Sequence, residues 1–145
     1  LSPCYSLMLG FSQPLLLGFE AAKVENMGIK WIMDNSSKPG RPQIPALVVQ
    51  SSNQWAQDHL EDSDDQVIAQ MMSELESVLA QPLPETVVQS LQRWRYSRVE
   101  QALESDYLLD LENNLAASGD WCLSGRVEGA FLSAKRLARR IEQIL

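Results

Sequence analysis

Few residues of this sequence have a spacing that supports catalysis. His59 is the only histidine, and acidic residues surround it at 58 and 61. No Ser-His-Asp group can be argued from it, and the sequence contains neither an HExxH nor a CxxC zinc motif. Residues 61–65 are acid-rich, but they lack the glycine and the ligand spacing of an EF-hand, so a helix cap with solvated charges explains them better. Histidine catalysis and a metal site are therefore not the leading hypotheses.

The informative segment is residues 118–130, with the sequence SGDWCLSGRVEGA. Gly119 and Asp120 follow an apolar segment, and Gly129 and Ala130 lie in the first turn of a predicted helix. A helix N-terminus presents unbonded N–H groups and a positive dipole, and small residues there let an electron-rich ligand approach. The aspartate can accept hydrogen bonds from ribose or ribityl hydroxyls. An ordinary strand, turn and amphipathic helix is the alternative interpretation.

A second candidate surface lies on a predicted strand over residues 86–99. Strand alternation places Trp94 and Tyr96 on one face and Arg93 and Arg95 on the other. An aromatic face could stack on a flat substrate ring, while Arg95 could meet a phosphate or carboxylate. The alternative is that the two aromatic residues are core and the arginines are solvated.

The elements that must position these residues are predicted from apolar periodicity and turn residues. The N-terminal third favours four strands, at residues 4–11, 15–19, 28–35 and 46–50, with Trp31 expected in the core. Ser52 or Asn53 is expected to cap a short helix, and Ser63 a longer one that ends before Pro82. A further strand or tight turn is predicted at 108–111, and an apolar segment broken by a Gly-Asp turn at 115–123.

The last predicted element is a long helix from about Arg126 to the C-terminus. Its apolar residues form one stripe, and three arginines cluster on the other side. The stripe comprises Val127, Ala130, Phe131, Ala134, Leu137, Ala138, Ile141 and Leu145. The element order predicts an α+β fold with a mainly antiparallel sheet, helices on one side and a long C-terminal helix.

Composition narrows the function classes. The chain has 145 residues and a formal net charge of −7, so it has no general attraction for nucleic acid. Apolar runs are far shorter than the roughly 20 residues of a membrane helix, and no signal peptide is recognisable. Two cysteines are too few for a disulfide framework, which favours a cytoplasmic protein. The sequence begins with Leu1 in a strand-like segment, and we therefore expect a piece of a longer protein.

The segment from Gly119-Asp120 through Ser124–Ala134 resembles the C-terminal flavin-closing motif of the amine-oxidase class of FAD enzymes. The resemblance implies that Gly119 and Asp120 bind the ribityl-phosphate part of FAD. It also implies that the helix start lies against the pyrimidine edge of the flavin ring. Those helix-start residues are Arg126, Val127, Glu128, Gly129 and Ala130.

The resemblance extends to the renalase-like branch over essentially the whole chain. Segments 5–11, 29–41, 45–50 and 92–97 resemble that branch in order, and Ser133-Ala134 fits it as well. Two departures stand out. No GxGxxG fingerprint is present, so the phosphate end of FAD has no cradle in this chain. Arg126 replaces a cage tyrosine of typical monoamine oxidases, which favours nicotinamide-type substrates over amines.

The resemblance thus implies part of an FAD-dependent oxidoreductase. Residues 1–112 would form its substrate-binding domain, with Trp94, Arg95 and Tyr96 at the substrate, and residues 113–145 the FAD-closing segment. A hydride would pass from a small dihydronicotinamide-type substrate to flavin, with oxygen as acceptor. We expect the fragment alone to be inactive, to lack FAD, to self-associate and to need an N-terminal FAD-binding domain. A non-catalytic binding or interaction module of the same fold is the alternative.

Overall fold

The structure is a computed structural model that describes residues 1–42 and 44–144. Its contacts divide the chain into two compact units. One unit is Pro3–Arg95, and the other comprises Leu1–Ser2 with residues 96–144. The predicted boundary at residue 112 separates a substrate-binding part from an FAD-closing part. It differs from the boundary between the two compact units and stays a prediction.

The first unit is built on a five-stranded sheet with the order β2-β3-β4-β1-β5. The pairs β1–β4, β3–β4 and β2–β3 are antiparallel, and Leu7 lies opposite Val49 in the β1–β4 register. The strands are β1 (Ser2–Phe11), β2 (Ala21–Lys23), β3 (Ile29–Asp34), β4 (Ala46–Ser51) and β5 (Thr86–Arg98), the last of which continues past the unit boundary. The predicted α+β class with a mainly antiparallel sheet is confirmed.

Two helices of this unit complete its core. Helix α1 spans Asn53–Asp58 and is capped by Ser52, whose side chain accepts from the N–H of Trp55. Helix α2 spans Asp64–Leu79, and Ser63 forms a reciprocal capping box with Gln66. Both predicted caps are confirmed, since Ser side chains satisfy N–H groups that a helix start leaves unbonded. The core comprises Tyr5, Leu7, Leu9, Phe11, Ile29, Ile32, Leu47, Val49, Ala56, Val67, Met71 and Leu75.

Two predictions for this unit are wrong. Residues 15–19 form no strand; Gly18 has a φ of +67°, which turns the chain, and the short strand β2 begins only at Ala21. Trp31 is not core but 41% exposed, because the β3–β4 register shifts between Ile29 and Trp31. That bulge moves Ile32 into the core in its place.

The second unit contains a hairpin and two helices within its described residues. Strands β6 (Leu108–Asp110) and β7 (Leu115–Ala117) pair antiparallel. The carboxylate of Asp110 accepts the N–H groups of Glu112 and Asn113 and so closes the turn. Helices α3 (Asp120–Leu123) and α4 (Val127–Glu142) follow. The predicted strand at 108–111 is confirmed, and the predicted long C-terminal helix is present.

The details of this unit differ from the prediction in two places. Asp120 does not lie in a simple turn but begins the four-residue helix α3. The predicted apolar stripe of α4 is not its buried face: Val127 is 90% exposed and Phe131 63% exposed, whereas Gly129 and Ser133 are buried. Small residues are buried here because backbone comes close to the helix, as described below. Leu145, the last residue of the stripe, lies outside the described residues.

Candidate flavin-contact site

The loop around Gly119 and Asp120 is held by its own backbone. The carbonyl of Asp120 accepts the N–H groups of Ser124, at 3.1 Å, and Gly125, at 2.9 Å. Gly125 has a φ of +63°, which a side chain disfavours. A Cβ there would also lie 2.9 Å from Cβ of Val99. These constraints fix the turn that connects α3 to α4.

A buried serine ties this loop to α4. Ser133 is fully buried, and its hydroxyl accepts the N–H of Gly119 at 3.2 Å and donates to the carbonyl of Asp106 at 2.6 Å. Arg136, one turn further along, forms an ion pair with the Asp106 carboxylate. Ser133 thus sets where Gly119 and Asp120 lie relative to the helix. A polar residue within an apolar helix pattern is the sequence feature that could have identified this role of Ser133. In the sequence, Ser133 is noted only as part of the family resemblance.

The first turn of α4 presents unbonded donors. Arg126 occupies the N-cap position with extended backbone angles, and no side chain in the described residues caps this end. The N–H groups of Val127, Glu128 and Gly129 therefore have no intrahelical acceptor. The positive end of the helix dipole adds to their attraction for negative charge. Glu128 places its own carboxylate in this turn, which partly offsets that attraction.

Gly129 allows Ser124 to lie close to the first turn of α4. A Cβ at this position would lie 2.6 Å from the hydroxyl oxygen of Ser124 and 3.7 Å from Cβ of Leu123. Gly129 is buried and Ala130 half-buried, whereas Arg126, Val127 and Glu128 are exposed. The predicted helix-start residues thus adjoin one another, with small residues toward the protein.

The carboxylate of Asp120 retains hydrogen-bonding capacity. Its Oδ1 atom accepts the N–H of Trp121 at 3.0 Å, and Oδ2 has no hydrogen-bond partner within residues 1–42 and 44–144. The residue is half-buried. A carboxylate oxygen with free lone pairs can accept a hydroxyl from a ligand. Gly119 and Asp120 belong to the same unit as the start of α4.

The aromatic and basic residues of β5 have distinct surroundings. Trp94 is 52% exposed and Tyr96 78% exposed, so the alternative that they are core is wrong. Arg95 binds the Glu61 carboxylate through its two terminal guanidinium nitrogens, Nη1 and Nη2, at 2.8 and 3.4 Å. This ion pair holds the pKa of the Glu61 carboxyl below its usual value, first through the hydrogen bond and then through the positive charge. Arg95 is therefore engaged by an acidic partner of its own unit.

Arg93 joins β5 to the segment between the two helices. It donates to the carbonyls of Leu60 and Asp62 and to the carboxylate of Asp64, and it lies over the ring of Tyr5. The Tyr5 hydroxyl donates to the carbonyl of His59, and burial raises the pKa of this phenol. Arg93 is thus bound to protein, whereas Arg95 forms its ion pair at the exposed surface.

His59 has a structural environment. Its Nδ1 lies 2.7 Å from the carboxylate of Asp62, and its ring is tilted against Trp55 with 4.3 Å between ring centroids. Among the residues that the structure describes, no group of three or more His, Cys, Asp or Glu side chains is arranged to hold a metal ion. None of the described helices combines the length and apolar character needed to cross a bilayer.

Comparison with known families decides the relationship. The profile of the flavin-containing amine oxidoreductases matches residues 9–142, which is nearly the whole chain. The chain belongs to this family. Its members contain a flavin, and the relationship to a flavin-dependent oxidoreductase is therefore established.

The site residues are compatible with the cofactor that the family implies. The uncapped N–H groups of Val127, Glu128 and Gly129 are donors for the electron-rich edge of a flavin, and Oδ2 of Asp120 is an acceptor for a hydroxyl. Gly129 accommodates Ser124 of the same chain and is therefore a packing residue, which adds no space for a ligand. The donors and the acceptor agree with the chemistry of the group. The resemblance had assigned the same residues to FAD.

Proposed function

We propose that this chain supplies the substrate-binding part and the flavin-closing segment of a renalase-like FAD-dependent oxidoreductase. The enzyme transfers a hydride from a small dihydronicotinamide-type substrate to flavin, with oxygen as the final acceptor. The observation that supports this proposal most strongly is the uncapped start of α4 beside Asp120, in a chain that matches the family over residues 9–142.

The chain's own residues bind and orient rather than transfer protons. The N–H groups at the start of α4 would stabilise negative charge on a bound flavin, and Asp120 would accept hydroxyls from its ribityl chain. Ser133 keeps Gly119 in place through its hydroxyl. Bound FAD supplies the hydride-accepting chemistry. No acid or base is required of these side chains, which agrees with a site that contains no histidine.

Substrate recognition is assigned to the exposed aromatic residues of β5. The half-exposed ring of Trp94 offers a flat surface for stacking on a nicotinamide ring, and Tyr96 offers another. Arg95 contributes to a substrate phosphate or carboxylate only if its ion pair with Glu61 opens. Arg126, at the position of a cage tyrosine in typical monoamine oxidases, favours the dihydronicotinamide over an amine.

The phosphate end of FAD requires a dinucleotide-binding domain that this sequence does not contain. We infer that such a domain pairs with the chain, and that residues 1–145 alone neither retain FAD nor catalyse the reaction. The exposed apolar residues Val127 and Phe131 on α4 support the inference, because large apolar side chains at the surface are commonly covered by a partner.

The test is anaerobic mixing of the flavin-loaded, full-length protein with a dihydronicotinamide or, separately, a monoamine. We expect the dihydronicotinamide to bleach the oxidised-flavin absorbance and oxygen to restore it with formation of hydrogen peroxide. Trp94→Ala should raise the substrate dissociation constant about 5- to 150-fold, the range for loss of one aromatic stacking partner. Trp31→Ala is the matched control, because Trp31 is similarly exposed.

The outcomes separate the alternatives. Bleaching by the monoamine alone would refute the substrate assignment while leaving the flavoenzyme intact. Failure of both substrates to reduce a bound flavin would favour the binding module. An equal effect of the two tryptophan substitutions would remove Trp94 from the substrate site.

A further inference from the structure

The indole of Trp121 lies against the backbone of Gly119, two residues earlier in the chain. A Cβ atom at Gly119 would lie 2.7 Å from Cδ1 of this indole and closer still to its Nε1. Gly119 has a φ of 175°, extended backbone that any residue adopts, so its φ does not require glycine. Glycine is required instead because the Trp121 ring occupies the space that a side chain would take.

Both backbone groups of Trp121 are also bound. Its N–H donates to Oδ1 of Asp120 at 3.0 Å, and its carbonyl accepts the N–H of Leu103 at 3.0 Å. Because Oδ1 of Asp120 is bonded to this N–H, the backbone of Trp121 determines where the other carboxylate oxygen is available to a ligand. That oxygen, Oδ2, is the one without a hydrogen-bond partner among the described residues.

We propose that Trp121 is a positioning residue that holds Asp120 ready for the flavin, an inference that rests on the proposed function. Glycine has more backbone freedom than any other residue, and Gly119 directly precedes Asp120. The Trp121 ring restricts that freedom. A loop that is ordered before the cofactor arrives loses less conformational entropy on binding, which raises the affinity. The ring thus acts on flavin binding through Asp120.

The test is a double-mutant cycle on the dissociation constant of FAD for the full-length protein. Wild type, Trp121→Ala, Asp120→Ala and the double variant are titrated with FAD. We expect Trp121→Ala to raise the dissociation constant about 10- to 150-fold, the range for loss of one hydrogen bond to a carboxylate. In the Asp120→Ala protein this bond is already lost, so adding Trp121→Ala should change the constant by no more than about 2-fold.

Two further variants isolate the contribution of the ring. Trp121→Phe keeps an aromatic ring beside Gly119, and its dissociation constant should stay within about 3-fold of wild type. Gly119→Ala displaces the ring and should weaken FAD binding in the wild type but not in the Trp121→Ala protein, where the space is open.

Amide hydrogen exchange at residue 121 of the 145-residue chain gives a readout that is independent of flavin. Its N–H is bonded to the Asp120 carboxylate in every one of the Trp121 variants that keeps the loop in place. We expect exchange at this residue to be at least about 5-fold faster in Trp121→Ala than in Trp121→Phe.

The outcomes separate this inference from the proposed function. Equal dissociation constants for Trp121→Phe and Trp121→Ala would overturn the positioning role, and so would a full effect of Trp121→Ala in the Asp120→Ala protein. Equal exchange at residue 121 in the two variants would overturn it as well. A wild type that binds no flavin, with the exchange difference still present, would refute the proposed function while the positioning of Asp120 by Trp121 stands.

Discussion

Substitution of Ser133 by alanine is the sharpest test of how the site is assembled. The side chain is fully buried, and its hydroxyl bonds both the N–H of Gly119 and the carbonyl of Asp106. Alanine leaves both backbone groups without this partner. Gly119 is half-buried and loses its acceptor. An unsatisfied buried donor costs about 1–3 kcal/mol.

That free energy translates into a measurable opening of one loop. Amide hydrogen exchange at Gly119 should accelerate about 5- to 150-fold in Ser133→Ala, because the closed state loses the corresponding stabilisation. The assay is residue-specific exchange followed by nuclear magnetic resonance. It reports on the loop itself, which a global unfolding curve of a chain with two compact units would not.

Ser124→Ala is the matched control. Ser124 is exposed, belongs to the same unit, and its hydroxyl has no hydrogen-bond partner within the described residues. Its removal should change the stability by no more than about 0.5 kcal/mol. Unchanged exchange at Gly119 in Ser133→Ala, or an equal acceleration in both variants, would refute the positioning role of Ser133.

Two further predictions concern carboxylates of the first unit. The Glu74 carboxylate accepts the N–H groups of Gly28, at 2.6 Å, and Ile29, at 2.9 Å. Glu74→Gln should therefore lower the free energy of unfolding, measured with urea, by about 1–3 kcal/mol. An unchanged urea midpoint would contradict this role of Glu74. Because Arg95 lowers the pKa of Glu61, this carboxylate stabilises the fold above the ordinary glutamate pKa, and the contribution disappears as pH falls through the lowered pKa. Glu61→Gln should therefore flatten the acid limb of a stability–pH curve in that window, and a curve identical to wild type would refute the linkage.

Local signals predicted much of the first unit. Ser52 and Ser63 cap helices because a hydroxyl followed by a polar first turn satisfies the open N–H groups. The apolar run of β1 was identifiable because a strand between two neighbours is buried along most of its length. Trp31 could not be predicted, since a bulge that changes which face a residue occupies arises from pairing with another strand.

The second unit shows where periodicity misleads. The pattern identified α4 but not its buried face, because Gly129 and Ser133 contribute little hydrophobicity and are buried by close backbone and a hydrogen bond. Val127 and Phe131, which belong to the apolar stripe, are exposed instead. For the aromatic strand, alternation separated Trp94 from the arginines. The acidic partners of those arginines come from a distant segment, which strand alternation cannot reveal.

Flavin content tests the central claim most directly. The full-length protein and its Asp120→Ala variant are purified, and bound flavin per polypeptide is measured from the visible spectrum. Glu112→Ala, an exposed acidic residue in the same unit, is the control. We predict stoichiometric FAD in the wild type and the control, and a clear loss in Asp120→Ala that added FAD partly restores. Full flavin occupancy in Asp120→Ala, or a wild-type protein that binds no flavin, would contradict the account.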